Sequence, residues 1–327
     1  MLEIVIIGTI KVVTVVLVVL TGCAYATYLE RKVVAFMQHR MGPTYAGPYG
    51  LLQPIADAIK LIFKEDIVPE NAERITYTLA PIASFVPALL VFAVVPFSSN
   101  FTMFGYEIKG VLSDLNIAVL YIFAVTSLGI YGIVLAGWSS GSKYSLLGGI
   151  RSSAQMISYE LSYGLSIVGV IIIANTLSMT ELVDQQAGLF NWFVFKQPFG
   201  FLLFMTCAIA ETNRAPFDLA EAESELVAGF HTEYSSMRFS TFFVAEYANM
   251  IAVGCVATTL FLGGWQGPFL PPILWFIIKV FAFMFLYIWL RATLPRFRYD
   301  QLMNFGWKVL FPLALANTLI TGLVVLW

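Results

Sequence analysis

Eight apolar runs, each long enough to cross a bilayer as a helix, leave this chain few ways to fold. A hydrocarbon core of about 30 Å needs roughly 20 apolar residues in helical form. Runs of that kind occupy residues 4–27, 76–97, 117–138, 153–174, 190–210, 240–262, 273–294 and 307–327. The chain is 59% hydrophobic and only 12% charged, whereas about a quarter of the residues of a soluble domain are charged. The expectation is an all-α integral membrane protein, a single transmembrane domain over residues 1–327 with eight transmembrane helices. No basic segment precedes the first run, which outlasts a signal-peptide core, so it is expected to remain as an anchor.

With eight spans both termini share one side, and the basic residues say which. Fourteen of the 18 Lys and Arg fall in or beside the loops that follow odd-numbered spans. Those loops are therefore expected to face inward and both termini to face the outer or luminal side. Cys23, Cys207 and Cys255 lie inside predicted spans without CxxC spacing and read as small core residues. An iron–sulfur cluster held by this chain alone is excluded, as is haem between intramembrane histidines, because His39 and His231 both lie in inner loops. No metal and no nucleic acid partner are expected.

Two inner loops are long and polar, at residues 28–75 and 211–239. Within the first, Leu51, Leu52, Ile55, Ile59, Ile62 and Phe63 recur at helical spacing, with Gln53, Asp57, Lys60 and Lys64 on the opposite face. That spacing predicts an amphipathic helix lying in the membrane interface. It either seals the bundle or floors an opening from the lipid. The second loop begins ETNRAPFDLAEAESE, with Glu211, Asp218, Glu221, Glu223 and Glu225. A solvated acidic loop is the plain reading, but Pro216 and Phe217 stand among the charges and intramembrane acids flank the loop. Glu160 in the fourth span and Glu246 in the sixth are costly in lipid unless they face a polar interior. Acids in such places suit a chain of proton acceptors; the alternative is structural hydrogen bonding between helices. Lys279 in the seventh span either snorkels outward or pairs with a buried acid.

The segments ERKVVAFMQHRMGP, GPYGLLQPIADAIKLIFKED, GWSSGSKYSLLGGIRSSAQMISYEL, AETNRAPFDLAEAESELVAGFHTEYSSMRF and RYDQLMNFGWK resemble, in order, those of the quinone-site membrane subunit of respiratory complex I. The resemblance covers nearly the whole chain and is to the H-subunit, or chain 1, family of NADH-quinone oxidoreductase.

It implies a proton-translocating assembly in an energy-transducing membrane, with this subunit forming much of a narrow quinone chamber. The quinone is substrate, and flavin and iron–sulfur clusters belong to partner subunits. Implied partners are the soluble iron–sulfur and quinone-site subunits of a peripheral arm, together with small and antiporter-like membrane subunits. In that picture Arg31, Arg40, Asp57, Ala58, Lys60 and Phe63 resemble the chamber entrance and wall, and Arg291, Arg296 and Arg298 basic residues near it. Glu211, Asp218, Glu221, Glu223, Glu225, Glu160 and Glu246 match the proton path. The chain departs from common relatives at Ser127, where some carry an acid, at Tyr45 and at Ala220. An energy-converting hydrogenase shares this subunit fold but needs no lipid-facing entrance; a free-standing proton-coupled transporter is the remote alternative, against which the lack of a repeat between the two halves counts.

Overall fold

The computed structural model describes residues 2–103, 106–218 and 227–327. In chain order, α1 is Leu2–Met37, α2 Gln53–Phe63, α3 Arg74–Leu90, α4 Ala118–Ser139, α5 Lys143–Ala174 and α6 Met179–Asp184. There follow α7 (Phe193–Lys196), α8 (Pro198–Glu211), α9 (Ser236–Phe261), α10 (Pro272–Thr293), α11 (Tyr299–Phe305) and α12 (Phe311–Leu326). A π-helical stretch, Gly306–Leu310, joins the last two. The only strands among the described residues form a small antiparallel hairpin, Phe101–Met103 with Tyr106–Ile108.

Seven helical segments among the described residues are long and apolar enough to cross a membrane: Ile6–Met37, Arg74–Ala93, Ala118–Ser139, Lys143–Ala174, Ser236–Phe261, Pro272–Thr293 and Tyr299–Leu326. The expected fifth span is broken. Gln197 stands at φ −133°, ψ 55° ahead of Pro198, and a residue before proline is driven out of the helical region. The remaining helix, α8, has 14 residues and a length of about 21 Å, so it falls short of the usual span. Two boundaries also move. α1 continues to Met37 instead of ending near residue 27, and α5 starts at Lys143, so Glu160 lies at mid-helix.

α8 packs against α5, while α9, the most buried of the long helices, packs against α3. Small residues on α9, among them Ala248, Ala252, Gly254 and Ala257, are buried and let neighbouring backbones approach. α3 and α4 are closer still: a Cβ on Gly132 would stand 2.5 Å from the Ser84 backbone nitrogen. α1 lies on the outside of this bundle and touches α9 and α10.

Among the described residues Lys279 pairs with no acid, and its side chain is buried. Its Nζ donates to the carbonyls of Leu262 (2.6 Å), Gly264 (2.9 Å) and Gln266 (2.7 Å) just past the end of α9, and lies 4.4 Å from the Trp192 ring centroid. Leu262 is the C-cap, where unpaired helix carbonyls carry partial negative charge, and with the loop carbonyls of Gly264 and Gln266 it solvates the buried ammonium.

Candidate functional site

The inner end of the bundle is organised by the chain that follows α8. The helix stops at Glu211, and Asn213 takes the left-handed conformation (φ 50°), which asparagine tolerates at a helix C-terminus. Gln155 on α5 then grips the returning segment, its Nε2 donating to the carbonyls of Ala210 and Phe217 at 2.8 Å each. Phe217 is 4% exposed and stacks on Phe297 and Phe305 at centroid distances of 5.5 and 6.4 Å. The phenylalanine among the charges is thus an anchor. It sets Arg214 into the bundle and holds Asp218 where Arg296 Nη2 reaches its Oδ2 at 3.0 Å.

Arg214 is buried, and its guanidinium joins two carboxylates from different helices. Nε lies 2.5 Å from Glu246 Oε1 on α9, and Nη1 lies 3.6 Å from Glu30 Oε2 on α1. The group also covers the Tyr247 ring at 4.5 Å. Burial works against its charge, but Glu246, Tyr247 and Glu30 outweigh that and hold Arg214 above the usual arginine range. Glu30 is itself shared: Arg291 pairs with its Oε1, and the Tyr247 hydroxyl donates to its Oε2 at 2.6 Å.

This cluster separates two spaces. On one side an open hollow of about 810 Å³ is lined by Glu30, Arg31, Arg40, Tyr45 and Arg291. Arg31 Nη1 binds Asp57 Oδ2 at 2.6 Å, which ties α2 to α1, and Gln53 Nε2 donates to Asp57 Oδ1 at 2.9 Å. Arg40 Nε donates to Gln38 Oε1 at 2.7 Å. On the other side a narrow internal cavity of about 70 Å³ is lined by Glu211, Glu246, Asn249, Tyr163, Thr126 and His231. The rest of its lining is largely apolar, with Ile122, Ile133, Phe242 and Val253 among it, so the polar groups face one another across an otherwise apolar space. Glu211 Oε2 is buried there without a hydrogen-bond partner among the described residues. On α5, Glu160 accepts at Oε1 from the hydroxyl of Ser127 on α4.

The residues expected from sequence are thus partly brought together. Arg31, Arg40 and Arg291 meet at the hollow, and Glu211 and Glu246 share the cavity. Asp218 and Arg296 pair at the rim, while Arg298 lies exposed at the start of α11. Ala58, Lys60 and Phe63 are exposed on α2, outside the hollow's lining. Glu221, Glu223, Glu225 and Ala220 lie outside the described residues. Sequence reasoning misses Glu30, Arg214 and Tyr247 as site residues. Ending the first span near residue 27 puts Glu30 in a loop, whereas the helix runs on past it. On a continuous helix Glu30 and Arg31 point about 100° apart, one into the bundle and one toward α2.

Helices of this length, with a buried ion cluster between an open hollow and an internal cavity that two carboxylic residues line, define an integral membrane protein with an ionisable interior. A sequence model described as NADH dehydrogenase matches residues 10–322. The chain is 56% identical over 327 residues to the first of two H subunits of NADH-quinone oxidoreductase in Geobacter sulfurreducens, covering 96% of this chain and 94% of the relative. It is 54% identical over 343 residues to the second H subunit of Koribacter versatilis (98% and 97% covered) and 56% over 312 residues to the H subunit of Thermomicrobium roseum (93% and 92%). The chain belongs to this family, that of the complex I H subunits.

Proposed function

We propose that this chain forms the membrane wall of a quinone chamber in an NADH-quinone oxidoreductase and transmits the charge change of quinone reduction to buried carboxylates that carry protons. One observation supports this above all others: Arg214 contacts both Glu30, which lines the hollow, and Glu246, which lines the internal cavity.

Reduction of a quinone by two electrons places negative charge on its oxygens and consumes two protons. Arg31, Arg40 and Arg291 around the hollow supply cations for that charge. Negative charge arriving there competes with Glu30 for Arg291 and with Glu246 for Arg214. The field at Glu246 changes, and with it the carboxyl's affinity for a proton. Asn249 and Tyr163 in the cavity offer hydrogen bonds toward Glu211, and Glu160 continues the line. Ser127 supplies a hydroxyl at the far end. Protons pass through these groups; electrons arrive from clusters on partner subunits of the peripheral arm.

In this reading α8, buried among the longer helices, completes an eighth crossing and both termini face outward. α2 lies in the interface with Ile55, Ile59, Ile62 and Phe63 toward lipid, beside the entrance. All four are exposed as one apolar face, the pattern of an interfacial helix. The inner rim around Arg296 and Asp218 meets the soluble subunits, and the far helices meet small and antiporter-like membrane subunits.

The test is the ratio of protons moved to quinone reduced, measured in vesicles of the isolated assembly with NADH and then with reduced ferredoxin. Glu246→Gln is expected to assemble and to lower that ratio. An assembled Glu246→Gln enzyme with an unchanged ratio overturns the proton-path reading.

A further inference from the structure

The first residue of α9 holds a backbone conformation that serine does not favour. Ser236 stands at φ 53°, in the left-handed region where a Cβ is penalised and glycine or asparagine is the ordinary occupant. Such a conformation persists only where the surroundings hold it, and here they do so from two sides. On one side the Tyr77 hydroxyl of α3 donates to the Glu233 carbonyl at 2.6 Å. The Tyr234 hydroxyl donates to the Tyr77 carbonyl at 3.2 Å, and the two rings stack at 4.1 Å. On the other side lie the end of α2 and the chain that leaves it. Ser235 Oγ accepts from the Ile67 nitrogen at 2.9 Å, Arg238 Nε lies 3.3 Å from Asp66 Oδ2, and Ser236 Oγ donates to the Leu61 carbonyl at 2.9 Å. Leu61 belongs to the last turn of α2, whose carbonyls have no partner within the helix. Glycine would take this backbone without strain, but it could not make that bond.

We infer that Ser236 is a positioning residue for the quinone entrance: its hydroxyl seats the end of α2 against α9, and the strained backbone is kept for the sake of that hydroxyl. The inference rests on the reading of α2 as the helix beside the entrance. α2 packs against α1 and α9, while Ile55, Ile59, Ile62 and Phe63 are exposed on its apolar face. It is fastened near its start by Arg31 to Asp57 and at its end by Ser236. The first fastening is half open to water and screened. The second is sheltered, with Ser236 only 5% exposed, and a sheltered hydrogen bond holds more firmly than one that water can replace. An entrance that exists only while α2 is seated weakens the apparent affinity for quinone by the fraction of time the helix is unseated. The bond to Leu61 therefore acts on quinone through α2, with no contact between Ser236 and the substrate.

The experiment compares Ser236→Gly, Ser236→Ala and Ser236→Asn in the intact assembly. Glycine accepts the backbone and lacks the donor; alanine lacks the donor and keeps the strain; asparagine accepts the backbone and offers an amide N–H to the same carbonyl. Three quantities are read: the melting temperature, hydrogen exchange of peptides covering residues 53–63, and KM and kcat for decylubiquinone with whichever of NADH and reduced ferredoxin the assembly accepts. Ser236→Gly is expected to melt no lower than the native assembly, to exchange faster at α2, and to raise KM about fivefold with kcat kept, the worth of one hydrogen bond. Ser236→Ala should raise KM equally and melt lower, and Ser236→Asn should keep exchange and KM near native. KM then follows the donor and melting temperature follows the backbone. A role in stability alone would make KM follow the melting temperature, with Ser236→Gly at native KM and native exchange, and that result overturns the inference. Faster exchange at α2 with unchanged KM also overturns it, and places the failure in the reading of α2 as part of the entrance. An assembly that reduced no quinone would instead defeat the chamber reading, and the inference with it.

Discussion

The Tyr247 hydroxyl donates to Glu30 Oε2 at 2.6 Å, so the carboxylate that neutralises Arg291 is fastened to the helix that carries Glu246. Tyr247→Phe removes this bond and little else. A hydrogen bond to a charged acceptor contributes about 1.5–3 kcal/mol, so the variant is expected to assemble with a lower melting temperature and a weaker response of pumping to quinone. An unchanged melting temperature would mean that the bond does not form.

Arg214→Gln leaves Glu30 and Glu246 buried without their common cation. Removing the cation shared by two buried carboxylates costs about 3–5 kcal/mol, whereas loss of Glu246 alone leaves Arg214 beside Glu30; Arg214→Gln is expected to lower the amount of assembled enzyme, and Arg214→Lys, which keeps the charge, to assemble. Native gels of membranes from both strains check this; equal assembly of the Gln variant would contradict it.

His231 carries the pH prediction. It is packed against Phe230, Phe239 and Phe243, and burial pushes its pKa down to about 4. An unfolded imidazole takes up its proton near pH 6.5, so between those values the unfolded state binds the extra proton. The contribution is fully present above about pH 6.5 and is lost as the pH falls toward 4, by roughly 3 kcal/mol in all. Melting temperatures at pH 7 and pH 5 should fall further apart in the native assembly than in His231→Asn; parallel slopes would refute this.

The Arg31–Asp57 pair is half exposed, with side-chain exposures of 51% and 32%, and such pairs contribute about 0–1 kcal/mol to stability. Asp57→Asn should therefore leave the melting temperature in place. By freeing Arg31 and loosening α2 at the entrance, it should change the KM for quinone more than kcat. A kcat effect with constant KM would remove α2 from the entrance.

Lys279→Met strips three carbonyls of their donor. The variant is expected to lose about 3 kcal/mol or more, with Lys279→Arg recovering part of it, as read by thermal unfolding of the assembly.

The long spans and the amphipathic α2 are legible because twenty-residue runs and helical stripes are properties of sequence alone. So are Glu211 and Glu246, since acids in apolar runs need a polar neighbour. Glu30 is not, because nothing in its neighbours marks where a helix that leaves the membrane will stop. Arg214 reads as one of two bases in an acidic loop, and only the turn at Asn213 and the anchoring of Phe217 send it inward. The short α8 follows from Pro198, a breaker that hydropathy alone passes over. Lys279 finds its partners in backbone carbonyls, which no residue-type pattern reveals.

The Lys279 clamp also fixes the far end of α9 relative to Glu246. Leu262, Gly264 and Gln266 are pinned to α10 at one end, and Arg214 pulls on Glu246 some 22 Å away along the axis, roughly the rise of the helix between them. A tilt of about 3° about the clamp would carry Glu246 through about 1 Å at that radius, the difference between a short ion contact and an open one.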